Sequence, residues 1–146
     1  TNLIERADAH YRWALFDRQP LSRWSDGRVC LMGDAAHATL PFMAQGAVMA
    51  IEDAYVLARE CTATPNDIAG ALERVYALRI TRTSNVQKGS RANASTFHKR
   101  TPLAQLASYG PMWLAGRLAP AIVRGRQDWL YAEDVTGPVA AQSDHA

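Results

Sequence analysis

A chain of 146 residues is long enough for one domain with a modest core. Hydrophobic residues make up 48% of it, which excludes a disordered composition, and a formal net charge of +2 is too small to indicate nucleic acid or membrane by itself. No apolar run approaches the roughly 18 residues of a membrane span, and the first residues lack the apolar core of a signal peptide, so a cytoplasmic protein is expected. The two cysteines, Cys30 and Cys61, have no metal-type spacing and read as reduced and at least half-buried.

Residues 2–9 place Leu3, Ile4 and Ala7 between charges, as in the last turns of a helix that begins before Thr1. Residues 11–17 alternate, with Tyr11, Trp13, Leu15 and Asp17 on one side and Arg12, Ala14 and Phe16 on the other. That predicts a strand, stopped by Pro20. Residues 18–27 connect, with Trp24 as an apolar anchor and Asp26-Gly27 as a turn. Val29-Cys30-Leu31-Met32 is apolar on both faces, the pattern of a strand in the middle of a sheet. Neither strand finds a partner in the sequence, so part of the sheet is expected to come from residues outside this chain.

Gly33-Asp34-Ala35-Ala36-His37 then forms a small-residue turn with a carboxylate, followed by a loop holding Pro41 and Gly46. From Gly46 a helix is predicted to about Cys61, with Val48, Ile51, Ala54, Tyr55 and Ala58 on its apolar stripe. Thr64-Pro65-Asn66-Asp67 carries the signature of the next helix start, with Thr64 as cap and Asp67 three residues on. Ile68, Leu72, Val75 and Tyr76 form that helix's apolar face, and the pattern continues to about His98, weakly broken by Gly89. Its second half, residues 79–100, is basic and contains no acid, which reads most simply as a solvated face, with part of it facing an acidic surface as the alternative. One or two short helices around Pro111 and a last helix over residues 120–131 follow. Trp113, Trp129 and Tyr131 read as core or interface anchors.

A carboxylate directly after a strand and a glycine projects from the strand's C-terminal end, where ligands of α/β sheets bind. Asp34 accepts hydrogen bonds only and suits sugar or polyol hydroxyls. The free N–H groups of Gly46, Ala47 and Val48 open a helix and favour an electron-rich group, and Gly46 lets the backbone approach a flat ligand. A plain Gly-Asp turn and an ordinary helix start are the bland alternative. His37 is a candidate for proton transfer, although a lone histidine in such a turn is more often structural. No histidine or cysteine is placed to complete a metal site, and Ser25 lacks the glycine elbow of a hydrolase.

The stretch Gly33-Asp34-Ala35-Ala36-His37, with residues 40–47 (LPFMAQGA) and Ala50-Ile51-Glu52-Asp53-Ala54, resembles the second FAD-binding motif of the single-component flavoprotein aromatic hydroxylases. The salicylate, 3-hydroxybenzoate and 6-hydroxynicotinate hydroxylases are the most similar kinds. Residues 13–24 resemble that family's return from substrate domain to FAD domain, residues 79–91 its long C-terminal helix, and residues 128–131 its closing helix. The resemblance implies a chain that is mostly α, forming the C-terminal fragment of an α/β, Rossmann-like FAD-binding monooxygenase fold. Residues 1–18 would end the substrate domain, 19–61 would belong to the FAD domain, 62–134 would form a helical region, and 135–146 a disordered tail.

By the same resemblance Asp34 would hold the ribityl chain of FAD, Pro41 would lie against the flavin, the N–H groups of Gly46, Ala47 and Val48 would face the pyrimidine edge, and Gly33 and Gln45 would also belong to the cofactor site. Phe42 and Met43 would approach the substrate ring. The implied chemistry is hydroxylation of a phenolic or hydroxy-acid aromatic substrate with NAD(P)H and O2, through a flavin hydroperoxide. His37 and Pro41 are the only catalytic candidates. No GxGxxG turn for the ADP half of FAD is present in this sequence. The partner expected is therefore the N-terminal remainder of the same enzyme, with a homodimer also compatible and neither nucleic acid nor membrane implied. A truncated helical module without catalysis is the competing reading, and a basic nucleic-acid module over residues 79–100 is the weakest, because the 33–53 signature has no use there.

Overall fold

The computed structural model describes residues 6, 8–125 and 127–137. The elements run in the order β1 Ser25–Asp26, β2 Val29–Cys30, α1 Asp34–His37, a 3-10 turn at Pro41–Met43, α2 Gly46–Ala63, α3 Ile68–Phe97, α4 Pro102–Leu118, α5 Pro120–Gly125 and α6 Asp128–Tyr131. The chain is mostly helical with one small sheet, as the resemblance implies.

The centre of the structure is the antiparallel pair α2 and α3, joined by a short turn. Contacts between them run in opposite directions along the two chains: Arg74 meets Glu60, Arg79 meets Asp53, Arg82 meets Glu52, and Met49 shares a cluster with Val86. The buried apolar residues include Val56, Ala71, Leu72 and Val75 on the helix pair, with Trp24 beside them. Trp24 serves as the anchor its sequence position predicts. Its ring stands edge-on to Tyr76 with centroids 5.8 Å apart.

Five expectations change. First, residues 11–17 form no strand, because a ladder needs a partner and the two strands among the described residues pair only with each other; Tyr11, Trp13 and Phe16 are exposed. Second, Val29–Cys30 does have a hairpin mate. It pairs antiparallel with Ser25–Asp26 around a turn in which Gly27 takes φ +56°, a conformation that suits glycine. Val29 is 72% exposed, so this strand is not the interior of a sheet within the chain.

Third, α2 buries the face opposite its predicted one. Met49, Glu52, Asp53, Val56 and Glu60 are buried, whereas Val48, Tyr55 and Ile51 (71%) are exposed. The arginines of α3 attract the acidic face of α2, and the apolar stripe stays open. Fourth, the cap of α3 is Asp67, which accepts from the Gly70 amide at 3.0 Å. Thr64 instead finishes α2, donating its hydroxyl to the Glu60 carbonyl. Fifth, residues 120–131 form two short helices rather than one. Trp113, Trp129 and Tyr131 are exposed and are not core residues of this chain.

The helix around Pro111 is a single one, opened by Thr101 capping the Ala104 amide and by Pro102 in its first turn. It buries no residue. The helix end expected over residues 2–9 lies largely outside the described residues. Of the tail expected from residue 135 onward, 135–137 form a turn, in which Asp134 accepts from the Thr136 amide at 2.8 Å, and 138–146 lie outside the described residues.

Candidate functional site

Gly33 ends the hairpin segment with φ +55° and ψ −136°, a conformation that only glycine adopts without strain. A Cβ there would also meet the Ala50 Cβ at 3.3 Å, so the turn packs its backbone directly on α2. Asp34 follows as the first residue of the single-turn helix α1. It is exposed, and its carboxylate has no hydrogen-bond or ion-pair partner among the described residues. A Cβ placed on Gly46 would stand 3.9 Å from the Asp34 Oδ1, so the carboxylate lies beside the start of α2.

That start is bare. Gln45, at the N-cap position, makes no side-chain cap, and the first turn of α2 carries no acid, which leaves the N–H groups of Gly46, Ala47 and Val48 without a side-chain acceptor. The side chain of Gln45 is buried, and its Oε1 lacks a hydrogen-bond partner. Just before it, Ala44 holds φ +53°, the one non-glycine residue with positive φ among the described residues. It closes the 3-10 turn through its amide to the Pro41 carbonyl.

Pro41 is exposed at the head of this turn. Phe42 is half-buried, its ring edge-on to Phe97 (6.0 Å) and His98 (5.5 Å). Met43 is drawn inward: it packs on the Met49, Val86 and Leu130 cluster, and its sulfur lies so near Gly89 that a Cβ there would be 2.7 Å away. Gly89 is thus no mere weak point of the helix. It makes room for Met43.

Behind the turn lies a buried ionic network. His37, 1% exposed, holds the Asp53 Oδ2 through Nε2 at 2.5 Å. Its ring faces Trp24 at 5.2 Å, and its Nδ1 has no partner. Asp53, 0% exposed, also accepts from the Gly33 amide at 3.4 Å and from the Arg79 Nε at 2.9 Å. Arg79 reaches Glu52 with Nη2, and Arg82 grips both oxygens of Glu52, through Nε at 2.8 Å and Nη2 at 2.7 Å. Arg82 further donates to the carbonyls of Trp129 and Leu130, each at 3.2 Å. One chain of contacts therefore links the Gly33 turn, α2, α3 and α6.

Burial works against the charged form of Glu52, but the hydrogen bonds from Arg82 and the Arg79 charge outweigh it and hold its carboxyl below the usual range. Asp53 behaves likewise: burial would raise it, and the contacts from His37 and Arg79 bring it down. Cys30 goes the other way, pushed up by burial and by the Asp53 charge, which makes its half-buried thiol a poor nucleophile.

The basic half of α3 is thus only in part a solvated face, with Lys88 exposed. Arg79 (1% exposed) and Arg82 are buried, and Arg91 binds Asp17. The acidic partner left as an alternative by the sequence is Glu52-Asp53. A basic run without acids beside an acidic pair in the preceding helix was the available signal.

Residues 8–71 match the sequence model of the family described as FAD binding domain. The 3-hydroxybenzoate 6-hydroxylase 1 of Aquipseudomonas alcaligenes is 40% identical over 92% of this chain and 33% of its own length. The 6-hydroxynicotinate 3-monooxygenase of Bordetella bronchiseptica is 46% identical over 62% of this chain and 24% of its own. A solved structure of a salicylate hydroxylase substrate complex superposes with a TM-score of 0.63 at 32% identity, covering 92% of this chain and 31% of that one. The chain is similar to hydroxylases and monooxygenases of aromatic compounds, and the family whose model matches residues 8–71 is one that binds FAD. The chain spans about a third or less of the length of these relatives.

The residues present fit that cofactor. Among the described residues an exposed acceptor without a partner (Asp34) lies beside an uncapped helix start, next to a buried acceptor without a partner (Gln45). A ligand with hydroxyl donors and an electron-rich ring edge complements each of them.

Proposed function

We propose that this chain supplies the flavin-facing part of an FAD-dependent monooxygenase that hydroxylates a phenolic or hydroxy-acid aromatic substrate. The carrying observation is the unpartnered Asp34 carboxylate beside the uncapped start of α2. Bound FAD, with NAD(P)H and O2 as co-substrates, supplies the oxygen chemistry. The chain's own residues bind and orient. Asp34 accepts from ribityl hydroxyls. The amides of Gly46, Ala47 and Val48 stabilise negative charge at the pyrimidine edge electrostatically. Pro41 lies against the ring, and Phe42 borders the space for the substrate. Met43, partly buried against the Met49, Val86 and Leu130 cluster, anchors the loop beside the substrate space it is expected to border. His37 is a positioning residue: its buried ring holds Asp53 behind the Gly33 turn.

The substrate class follows from the names of the relatives, which act on hydroxylated benzoates and on hydroxynicotinate. Residues 1–18 would close a substrate domain, 19–61 belong to the FAD domain and 62–134 to a helical region. The remainder of the enzyme would cover the exposed apolar residues Val29, Leu31, Val48, Ile51 and Tyr55. Titration of the complete protein with FAD, followed in the flavin absorbance bands, tests the reading. Saturable uptake with a perturbed flavin spectrum is expected. Absence of uptake by a folded protein would overturn it.

A further inference from the structure

Three side chains on one face of α3 donate to the loop that carries Pro41 and Phe42. Gln87 Nε2 donates to the Ala38 carbonyl at 3.1 Å, Ser90 Oγ to the Leu40 carbonyl at 2.5 Å, and Asn93 Nδ2 to the Phe42 carbonyl at 3.3 Å. The donors are spaced three apart on a helix, so they lie along one line of its surface. The acceptors are spaced two apart, so alternate carbonyls of the loop turn towards that line. Gln87 also donates to the Arg18 carbonyl at 3.1 Å, which ties the preceding segment to the same face. Gln87 and Ser90 are buried, and Asn93 is half-buried. Gly89, between them, leaves the gap that Met43 fills.

Loops are free to shift unless their backbone groups are held, and here the holding groups are not part of the loop. Among the described residues none of the three hydrogen-bonds to Asp34 or to the start of α2, and the Gly33 turn that precedes Asp34 is held separately, by Asp53 and Ala50. The two halves of the site are therefore held by different side chains of α3, Arg79 through Asp53 for the Gly33 turn and Gln87, Ser90 and Asn93 for the loop.

We propose that Gln87, Ser90 and Asn93 are positioning residues for loop 38–42, and that this face of α3 governs acceptance of the aromatic substrate more than binding of FAD. The proposal rests on the FAD-site reading above. A ring-shaped ligand is sensitive to small displacements of Phe42, whereas FAD is held chiefly by Asp34 and the α2 amides.

The test uses Ser90→Ala and the isosteric Asn93→Asp in the complete protein, with Asn85→Ala on the exposed side of α3 as control. Asn93→Asp keeps size but turns the donor into a charged acceptor facing the Phe42 carbonyl, whereas Ser90→Ala removes a donor without adding charge, so agreement of the two variants separates the lost hydrogen bond from the added charge. Amide exchange at Ala44, whose N–H bonds the Pro41 carbonyl, is read by NMR or mass spectrometry, and 3-hydroxybenzoate affinity by its perturbation of the flavin spectrum. Both variants should accelerate Ala44 exchange and weaken 3-hydroxybenzoate about fivefold or more, the loss expected for one hydrogen bond. FAD affinity should stay within about twofold, since Asp34 and the α2 amides are untouched and only the contact of Pro41 with the ring is loosened. Wild-type exchange and ligand affinity in both variants would overturn the proposal, as would an equal loss of FAD and aromatic ligand. A wild-type protein that takes up no FAD overturns the FAD reading and the substrate half of the proposal with it. A wild-type protein that binds FAD with indifferent variants overturns the proposal alone.

Discussion

At the scale of the residue, Asp34 and Asp53 divide the work of the acidic site. Asp34 is exposed and unpartnered, so it contributes little to the fold and is available to a ligand. Asp53 is buried and fully engaged, so it belongs to the support. Replacing Asp34 by Ala should leave stability within about 0.5 kcal/mol, as for a surface position without partners. The same change should weaken FAD binding by about 1–3 kcal/mol, the loss of a charged acceptor for a ligand hydroxyl. Isothermal titration and thermal melting of the same variant check both halves, and an unchanged FAD affinity would defeat the ribityl assignment. Arg79→Ala is the opposite case. Its guanidinium is buried between Glu52 and Asp53, and removing it leaves buried carboxylates uncompensated. A loss of about 3–5 kcal/mol in chemical denaturation is expected.

At the scale of the element, the α2–α3 pair is held by carboxylates whose folded-state ionisation is favoured over that of the unfolded chain. Such groups stabilise the fold above their unfolded values, about 4, and that contribution is lost as pH falls through their lower folded values. The melting temperature should therefore be flat on the acidic side of neutrality and fall below about pH 5. Glu52→Gln should flatten that fall, and a wild-type profile in the variant would contradict the assignment.

The helices themselves were legible in the sequence, because Gly46, Pro65 with Asp67, and Pro102 punctuate the chain where the backbone must change course. The face that α2 buries was not. Hydrophobic periodicity points to Val48, Ile51 and Tyr55, but Arg79 and Arg82, some thirty positions away, draw the acidic face inward instead. Asp34 and the bare start of α2 could be read from local order alone. The Asp53 network and the Gln87–Ser90–Asn93 line could not, since both depend on which side of α3 meets the loop. The strand expected at residues 11–17 is missing for a similar reason: a ladder depends on a partner that alternation within one segment cannot specify.

At the scale of the molecule, the exposed apolar residues of the hairpin and of α2 border the same turn that presents Asp34. Val29 and Ile51 are each more than two-thirds exposed, at 72% and 71%, an arrangement typical of surfaces covered by other protein. The chain aligns with about a third of the 3-hydroxybenzoate 6-hydroxylase 1 and of the salicylate hydroxylase chain. Both observations fit a flavin site completed by the remainder of an enzyme. The most direct measurement is the intact mass and visible absorbance of the purified natural protein, taken on one sample. The account predicts a yellow preparation in which this sequence is accompanied by the rest of the enzyme, within one chain or as a companion chain. A colourless 146-residue chain that is folded and takes up no FAD would contradict it.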